Sequence, residues 1–315
     1  TSTVLKHQIA KRRGLTKTNV LIAGPTGSGK TAIIKEVAKF INAPTASASL
    51  TDISPPSYKG TPIESVFIRL LDNANGDLLA AQEHGIVHFD EVDKLTDPTR
   101  GELLQNSLLA ITEGTILELD MGAQAGKVQF DTSNVLFVFS GAFTGIEKIA
   151  QKRQTERVAV GFGMPNRDMT KLEAGALKID RSDIEKWGLK KEFVARMGTV
   201  ASTNPITRST LKKILEGSDS SPIREFESLF EELGLKLKIS KVIVEEILDE
   251  TMDLKLGARG MRIKFTELLT NFMFHYPSFE KKGVVNVNKK SIKSLEKKDL
   301  SDSLDKDETA VELEM

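Results

Sequence analysis

Val20-Leu21-Ile22-Ala23-Gly24-Pro25-Thr26-Gly27-Ser28-Gly29-Lys30-Thr31 is an apolar run that closes on the phosphate-loop pattern Gly-x-x-x-x-Gly-Lys-Thr. Thr31 to Phe40 continue with apolar residues at helical spacing. Strand, loop and helix in that order aim backbone N–H groups at a phosphate. Gly24, Gly27 and Gly29, with Pro25, Thr26 and Ser28 between them, let the backbone curl around a β-phosphate. Lys30 supplies a positive charge for the β- and γ-phosphates, and the Thr31 hydroxyl can ligate Mg²⁺. A chance glycine turn would produce the four fixed positions in roughly one chain of this length in a hundred. The flanking strand and helix make it rarer still. The stretch predicts nucleotide binding, with ATP and Mg²⁺ as the pair to be held.

Gly85-Ile86-Val87-His88-Phe89-Asp90-Glu91 reads as a buried strand that ends in two carboxylates. An apolar run is what a central parallel strand needs when helices cover both sheet faces. Asp90, at the carboxyl end, can hold the Mg²⁺ shell through a water. Glu91 can polarise a water for attack on the γ-phosphate, in a reaction that asks the protein mainly for positioning and charge stabilisation. His88 interrupts the apolar run and is read as a histidine packed beside the strand. His84 lies four residues earlier, a spacing that pairs ligands on a helix but not across Gly85 into a strand. No metal site is assigned to protein side chains alone.

A chain of 315 residues can build a large α/β domain and a smaller one. Lys+Arg and Asp+Glu balance at 44 each, so no overall field favours nucleic acid or an anionic membrane. The absence of cysteine excludes disulfides, a thiol nucleophile and a zinc ribbon within these residues. It fits a reducing, cytoplasmic setting. No segment approaches the ~20 apolar residues that span a bilayer, and residues 1–19 contain no secretory apolar core. The first residue is Thr1, which is read as the start of a fragment or processed form.

Pro44–Leu50 is expected as a short Ala/Ser strand, Thr51–Gly60 as a loop stopped by Pro55-Pro56, and Pro62–Leu71 as an amphipathic helix. Leu78–Gln82 and Glu102–Ile111 read as further helices. Thr115–Asp120 and Lys127–Phe130 read as a hairpin, and Asn134–Phe139 as another strand. Gln151–Ala174 turns polar and glycine-containing and is expected to be a mobile loop. The alternation of strands and helices predicts an α/β fold with a wound parallel sheet over residues 1–201. Thr203-Asn204-Pro205 then reads as a hinge, since Asn-Pro disfavours helix. Residues 202–293 are expected as a small, mostly helical domain with one short strand at Gly283–Val287. Residues 294–315, rich in Lys, Glu, Asp and Ser, are expected to be a disordered charged tail.

These motifs, with others in fixed order, carry a resemblance. Asp90-Glu91-Val92-Asp93-Lys94-Leu95, Glu113-Gly114-Thr115, Asp131-Thr132-Ser133, Ser140-Gly141-Ala142-Phe143, Trp187 to Met197 and Gly257-Ala258-Arg259-Gly260-Met261-Arg262 resemble the ClpX family of AAA+ unfoldases. The likeness runs from about Val4 to Ser278. HslU is similar too, but its large domain inserted after the acidic strand has no room here. The resemblance implies an AAA+ P-loop NTPase fold and several site roles. Arg196 matches the arginine finger that reaches a neighbouring subunit's ATP, Arg259 the second sensor, and Ser140 the first sensor. Tyr58-Lys59-Gly60 falls where the family has its pore loop, with Lys59 replacing an apolar residue. Val160-Gly161-Phe162 looks like the tripeptide that docks the ClpP peptidase ring. The family's zinc-binding amino-terminal domain is missing, its Arg-Lys-His pore-entrance loop has no counterpart in Met121–Val128, and adaptor recognition is not carried over.

The resulting expectation is an ATP-dependent unfoldase of the ClpX type. Six copies would form a ring that unfolds proteins and feeds them to a ClpP-like peptidase, with unfolded or tagged protein substrates as its partners. Two other classes compete: an AAA+ nucleic-acid motor, opposed by the balanced charge and absence of basic–aromatic clusters, and a non-hydrolysing ATP-binding regulator, opposed by the presence of every hydrolytic residue.

Overall fold

Unbroken apolar runs such as Leu136–Phe139 can be buried on both faces only if helices flank them on each side, and the fold supplies that arrangement. The computed structural model describes residues 17–55, 60–122, 126–160, 178–217, 221–254, 256–274 and 283–295. The chain divides into two units between Asn204 and Pro205. In chain order the first contains β1 (Asn19–Ala23), α1 (Lys30–Phe40), β2 (Thr45–Ser49), α2 (Glu64–Asn73), α3 (Leu78–His84), β3 (Ile86–Asp90) and a 3₁₀ turn at Val92–Thr96. It continues through α4 (Arg100–Glu113), β4 (Ile116–Asp120), β5 (Lys127–Asp131), β6 (Leu136–Gly141), α5 (Ile146–Val160), α6 (Arg181–Trp187), α7 (Lys191–Ala195) and β7 (Met197–Ser202).

Five strands form one sheet in the order β2-β3-β6-β1-β7, and every neighbouring pair is parallel. Alternate residues serve opposite faces. Val20, Ile86 and Val138 pack against Ile34 and Ala38 of α1. Leu21, Val87, Phe89, Phe137 and Phe139 enter the larger core on the other face. There Phe89 stacks on Phe139 at 5.7 Å between ring centroids, and Phe193 of α7 meets Phe139 edge-on at 5.1 Å. The wound parallel sheet is as expected, and β4 and β5 form the expected antiparallel hairpin.

Other expectations are corrected. The polar stretch beginning at Gln151 does not start as a loop, because α5 runs on to Val160. Ile146, Ala150 and Arg153 are buried at helical spacing. Arg153 is also fixed by Asp183, with Nε–Oδ1 and Nη2–Oδ2 distances of 2.8 Å, and by Asp180 at 2.9 Å. Those partners lie about thirty residues downstream, so the local composition carried no sign of them. The first unit runs to Asn204, past the boundary expected after Ala201, because β7 continues to Ser202 and Thr203 N–H still donates to Ala23 O at 2.9 Å.

The second unit contains α8 (Arg208–Gly217), α9 (Pro222–Glu232), β8 (Lys236–Ile239), α10 (Lys241–Leu254), α11 (Gly257–Phe274) and β9 (Val284–Val287). Its core gathers Phe226, Phe230, Leu248, Phe265 and Val285. Where one strand was expected there are two, β8 and β9, paired in parallel. β8 is short and presents exposed lysines on one side of a buried Leu237, a weak signal beside the helices. Residues 289–295 are helical, and Leu295 is buried in the same core. The expected tail therefore does not begin at Ser294; residues 296–315 lie outside the described residues.

Candidate active site

Strand order brings three carboxyl ends to one sheet edge. The phosphate loop follows β1, Asp90 ends β3, and Ser140 lies near the end of β6, which runs between β3 and β1. In open parallel sheets this edge is where ligands bind. The loop turns into α1 through Gly29, whose left-handed φ of 83° a larger residue would resist. Gly24 is required for a different reason. A Cβ there would stand 2.0 Å from Thr203 Oγ1 and 2.8 Å from its carbonyl oxygen. Thr203 crosses this close because its hydroxyl also pairs with Ser28 Oγ at 2.7 Å. Lys30 is buried, and its Nζ donates to the carbonyls of Gly24 at 2.7 Å and Pro25 at 3.0 Å. Pro25, Thr26 and Gly27 complete the loop before the helix.

Thr31 and Asp90 meet directly, with the hydroxyl donating to Asp90 Oδ2 at 3.0 Å. Asp90 Oδ1 accepts from Ser140 Oγ at 2.5 Å and from Glu91 N–H at 2.9 Å. Burial opposes a charge on Asp90. The Ser140 hydroxyl and Glu91 N–H outweigh it, aided by the Thr31 hydroxyl, and hold the carboxyl below its ordinary range. The carboxylate is thus ionised with both oxygens engaged. Thr31 and Asp90 are hard oxygen donors converging on one point beside the phosphate loop, a donor set that fits Mg²⁺. No group of three or more His, Asp and Glu side chains suited to a metal occurs among the described residues.

Glu91 adopts the left-handed conformation at φ 61°, which is uncommon for a side chain of this kind. It turns its carboxylate toward the end of β2, where Oε2 accepts from Ser49 Oγ at 2.5 Å and Thr51 Oγ1 at 2.8 Å. Arg100 steadies that corner by donating to the Thr51 carbonyl at 2.6 Å. His88 is fully buried, with Nε2 2.8 Å from Ser140 Oγ. Burial pushes it down to about 4 against the pull of Asp90, so it is neutral near pH 7. Asp93 accepts from Ala142 N–H at 3.1 Å, tying the turn after β3 to the turn after β6. Ser49, Thr51 and Thr203 were not singled out from sequence as active-site groups. A hydroxyl at a strand's carboxyl end is the only local signal, and it gains meaning once strand order is known.

Arg196 stands elsewhere. It caps α7 just before β7, and its carbonyl accepts from Asn19 Nδ2 at 3.3 Å, at the start of β1. The phosphate loop leaves the far end of that strand, whose five residues span about 16 Å. The guanidinium is half-exposed and pairs with Glu113. Arg259 is an exposed residue in the first turn of α11, in the second unit. Gly60 is exposed, and Ser54 N–H donates to Thr61 O at 2.9 Å. Tyr58 and Lys59 lie outside the described residues, as do Gly161 and Phe162, while Val160 ends α5.

Residues 15–200 match the family described as AAA domain (Cdc48 subfamily). The chain is similar to proteins named ATP-dependent Clp protease ATP-binding subunit ClpX. That of Treponema denticola is 32% identical over 294 residues, covering 88% of this chain and 70% of that protein. The Borrelia duttonii protein is 34% identical over 294 residues, with coverage of 88% and 68%. The Porphyromonas gingivalis protein is 33% identical over 286 residues, with coverage of 85% and 69%.

Proposed function

This chain belongs to the ClpX family of AAA ATPases and is an ATP-dependent unfoldase, and on that premise we propose how its residues divide the work. Gly24 to Thr31 wrap the phosphates, with Lys30 facing the β- and γ-phosphates. Thr31 and Asp90 would hold Mg²⁺ accompanying ATP, and the ion would neutralise charge on those phosphates. Glu91 is the base that draws a proton from the attacking water. Ser49 and Thr51 engage one of its oxygens and leave the other for that water. Ser140, bonded to Asp90, lies where a hydroxyl can sense the γ-phosphate.

The observation that carries the reading is the position of Arg196. It lies at the opposite end of β1 from its own phosphate loop, so Arg196 acts on the ATP of another copy of the chain rather than on its own. This supports a ring, six-membered as in the resemblance, in which each Arg196 completes the site of its neighbour. An arginine finger of this kind can contribute roughly 10³–10⁵ in rate. Arg259 reports nucleotide state to the second unit, and the segment holding Tyr58, Lys59 and Gly60 grips polypeptide in the channel. Val160, Gly161 and Phe162 dock a ClpP-like peptidase, the partner that the relatives' names point to.

The test uses a folded fluorescent protein carrying an unstructured tail. The chain is expected to abolish its fluorescence only with ATP, whereas Glu91→Gln binds ATP but leaves the fluorescence intact. ATP-independent loss, or full activity of Glu91→Gln, contradicts the reading.

A further inference from the structure

The hydrogen-bond chain Thr31–Asp90–Ser140 does not end at Ser140. His88 lies two residues before Asp90 on β3 and therefore faces the same side of the sheet. It is 0% exposed, and Nε2 is 2.8 Å from Ser140 Oγ. Ser140 has a single O–H to give, and at 2.5 Å from Asp90 Oδ1 that proton goes to a carboxylate that can only accept. The histidine must then be the donor, with Nε2–H pointing at the free lone pair of Ser140. This leaves Nδ1 as a bare lone pair, and among the described residues that buried atom has no hydrogen-bond partner. A buried acceptor without a donor is costly, and an apolar side chain of similar size would avoid it. Packing alone does not account for a histidine at this position.

We propose that His88 is a positioning residue for ATP hydrolysis, whose Nε2–H fixes the Ser140 hydroxyl so that its proton points at Asp90. His88 touches neither nucleotide nor metal. It acts through Ser140, which with Thr31 and the backbone of Glu91 sets the direction of the Asp90 carboxylate. Removing the donor frees the Ser140 hydroxyl to rotate and releases one constraint on Asp90. The inference rests on the reading above, in which Asp90 and Ser140 belong to the hydrolytic machinery.

The experiment is a set of steady-state ATPase measurements on the whole chain under assembly conditions. His88→Leu removes the donor at similar volume and is expected to lower kcat by roughly 10- to 100-fold, the cost usual for a group orienting a ligating residue. The KM for ATP should change by no more than about twofold, since the interaction is needed in the transition state rather than for binding. His88→Gln places an amide N–H where Nε2 lies and is expected to restore most of kcat. His88→Asn, one methylene shorter, stops near Nδ1 and is expected not to. Comparing the two amides keeps the test informative even where His88→Leu fails to fold. Parent-like turnover by His88→Leu, or equal turnover by the Gln and Asn variants, overturns the proposal. Ser140→Ala separates the two layers. Slow Ser140→Ala with normal His88→Leu sinks the role of His88 alone, whereas normal Ser140→Ala sinks the assignment of Ser140 on which it stands.

Discussion

Glu91 shows how much the site asks of one residue. Its φ of 61° costs on the order of 1–2 kcal/mol for a residue with a Cβ, and two hydroxyls converge on Oε2. Glu91→Gln keeps an oxygen for both hydroxyls and removes only the carboxylate proposed as base. Turnover should fall by roughly 10²–10⁴, while ATP affinity, read by titration with a fluorescent analogue, stays within a factor of a few. Thr203 makes a smaller contribution through Ser28. Thr203→Val deletes one neutral hydrogen bond and should raise the KM for ATP about two- to tenfold with little change in kcat. Lys17 offers a pH test. Burial lowers its pKa from 10.5 to about 8, against the pull of Asp131, although Nζ donates to Thr132 O and lies over the Phe137 ring. Between those values the unfolded chain holds a proton that the folded chain has released, so stability rises with pH through that window. Relative to Lys17→Met, the protein should gain about 3 kcal/mol between pH 7.5 and 10.5 in denaturant titrations. A constant difference would refute the assignment.

At the scale of elements, α5 and α6 are joined through a buried ion pair. Asp183 is fully buried and meets the Arg153 guanidinium at two points. Arg153→Met leaves that carboxylate unpaired and should cost about 3–5 kcal/mol in chemical denaturation. Replacing Asp183 by Leu in the same chain should recover much of the loss, whereas strictly additive penalties would argue against coupling. This joint also marks where sequence reading stops. β1, the phosphate loop and α1 were legible because an apolar run, glycines, lysine and helical period follow one another without a break from Asn19 to Phe40. The acidic strand was legible because Asp90 and Glu91 end an unbroken apolar run. α5 was not, because its buried Arg153 is satisfied by Asp180 and Asp183, which lie far along the chain, and β8 was not, because Lys-Leu-Lys-Ile is too short to set a period. The bonds from Ser49 and Thr51 to Glu91, and from His88 to Ser140, depend on β2 and β6 both lying beside β3. No local pattern encodes that adjacency.

For the whole molecule, the claim is that hydrolysis needs two copies of the chain. The Arg196–Glu113 pair is solvent-exposed, and such pairs hold little energy, so the guanidinium can leave it for a neighbour's phosphate. Balanced charge over the chain leaves assembly to specific surfaces rather than to a long-range field. The direct measurement is ATPase activity in a mixture of Arg196→Ala and Glu91→Gln chains. Each alone lacks either the finger or the base at every site and should be near background. In mixed rings some sites join an intact Glu91 to an intact Arg196 from the adjoining copy, and turnover should rise well above the sum of the separate preparations. A mixture no more active than that sum would contradict the shared site.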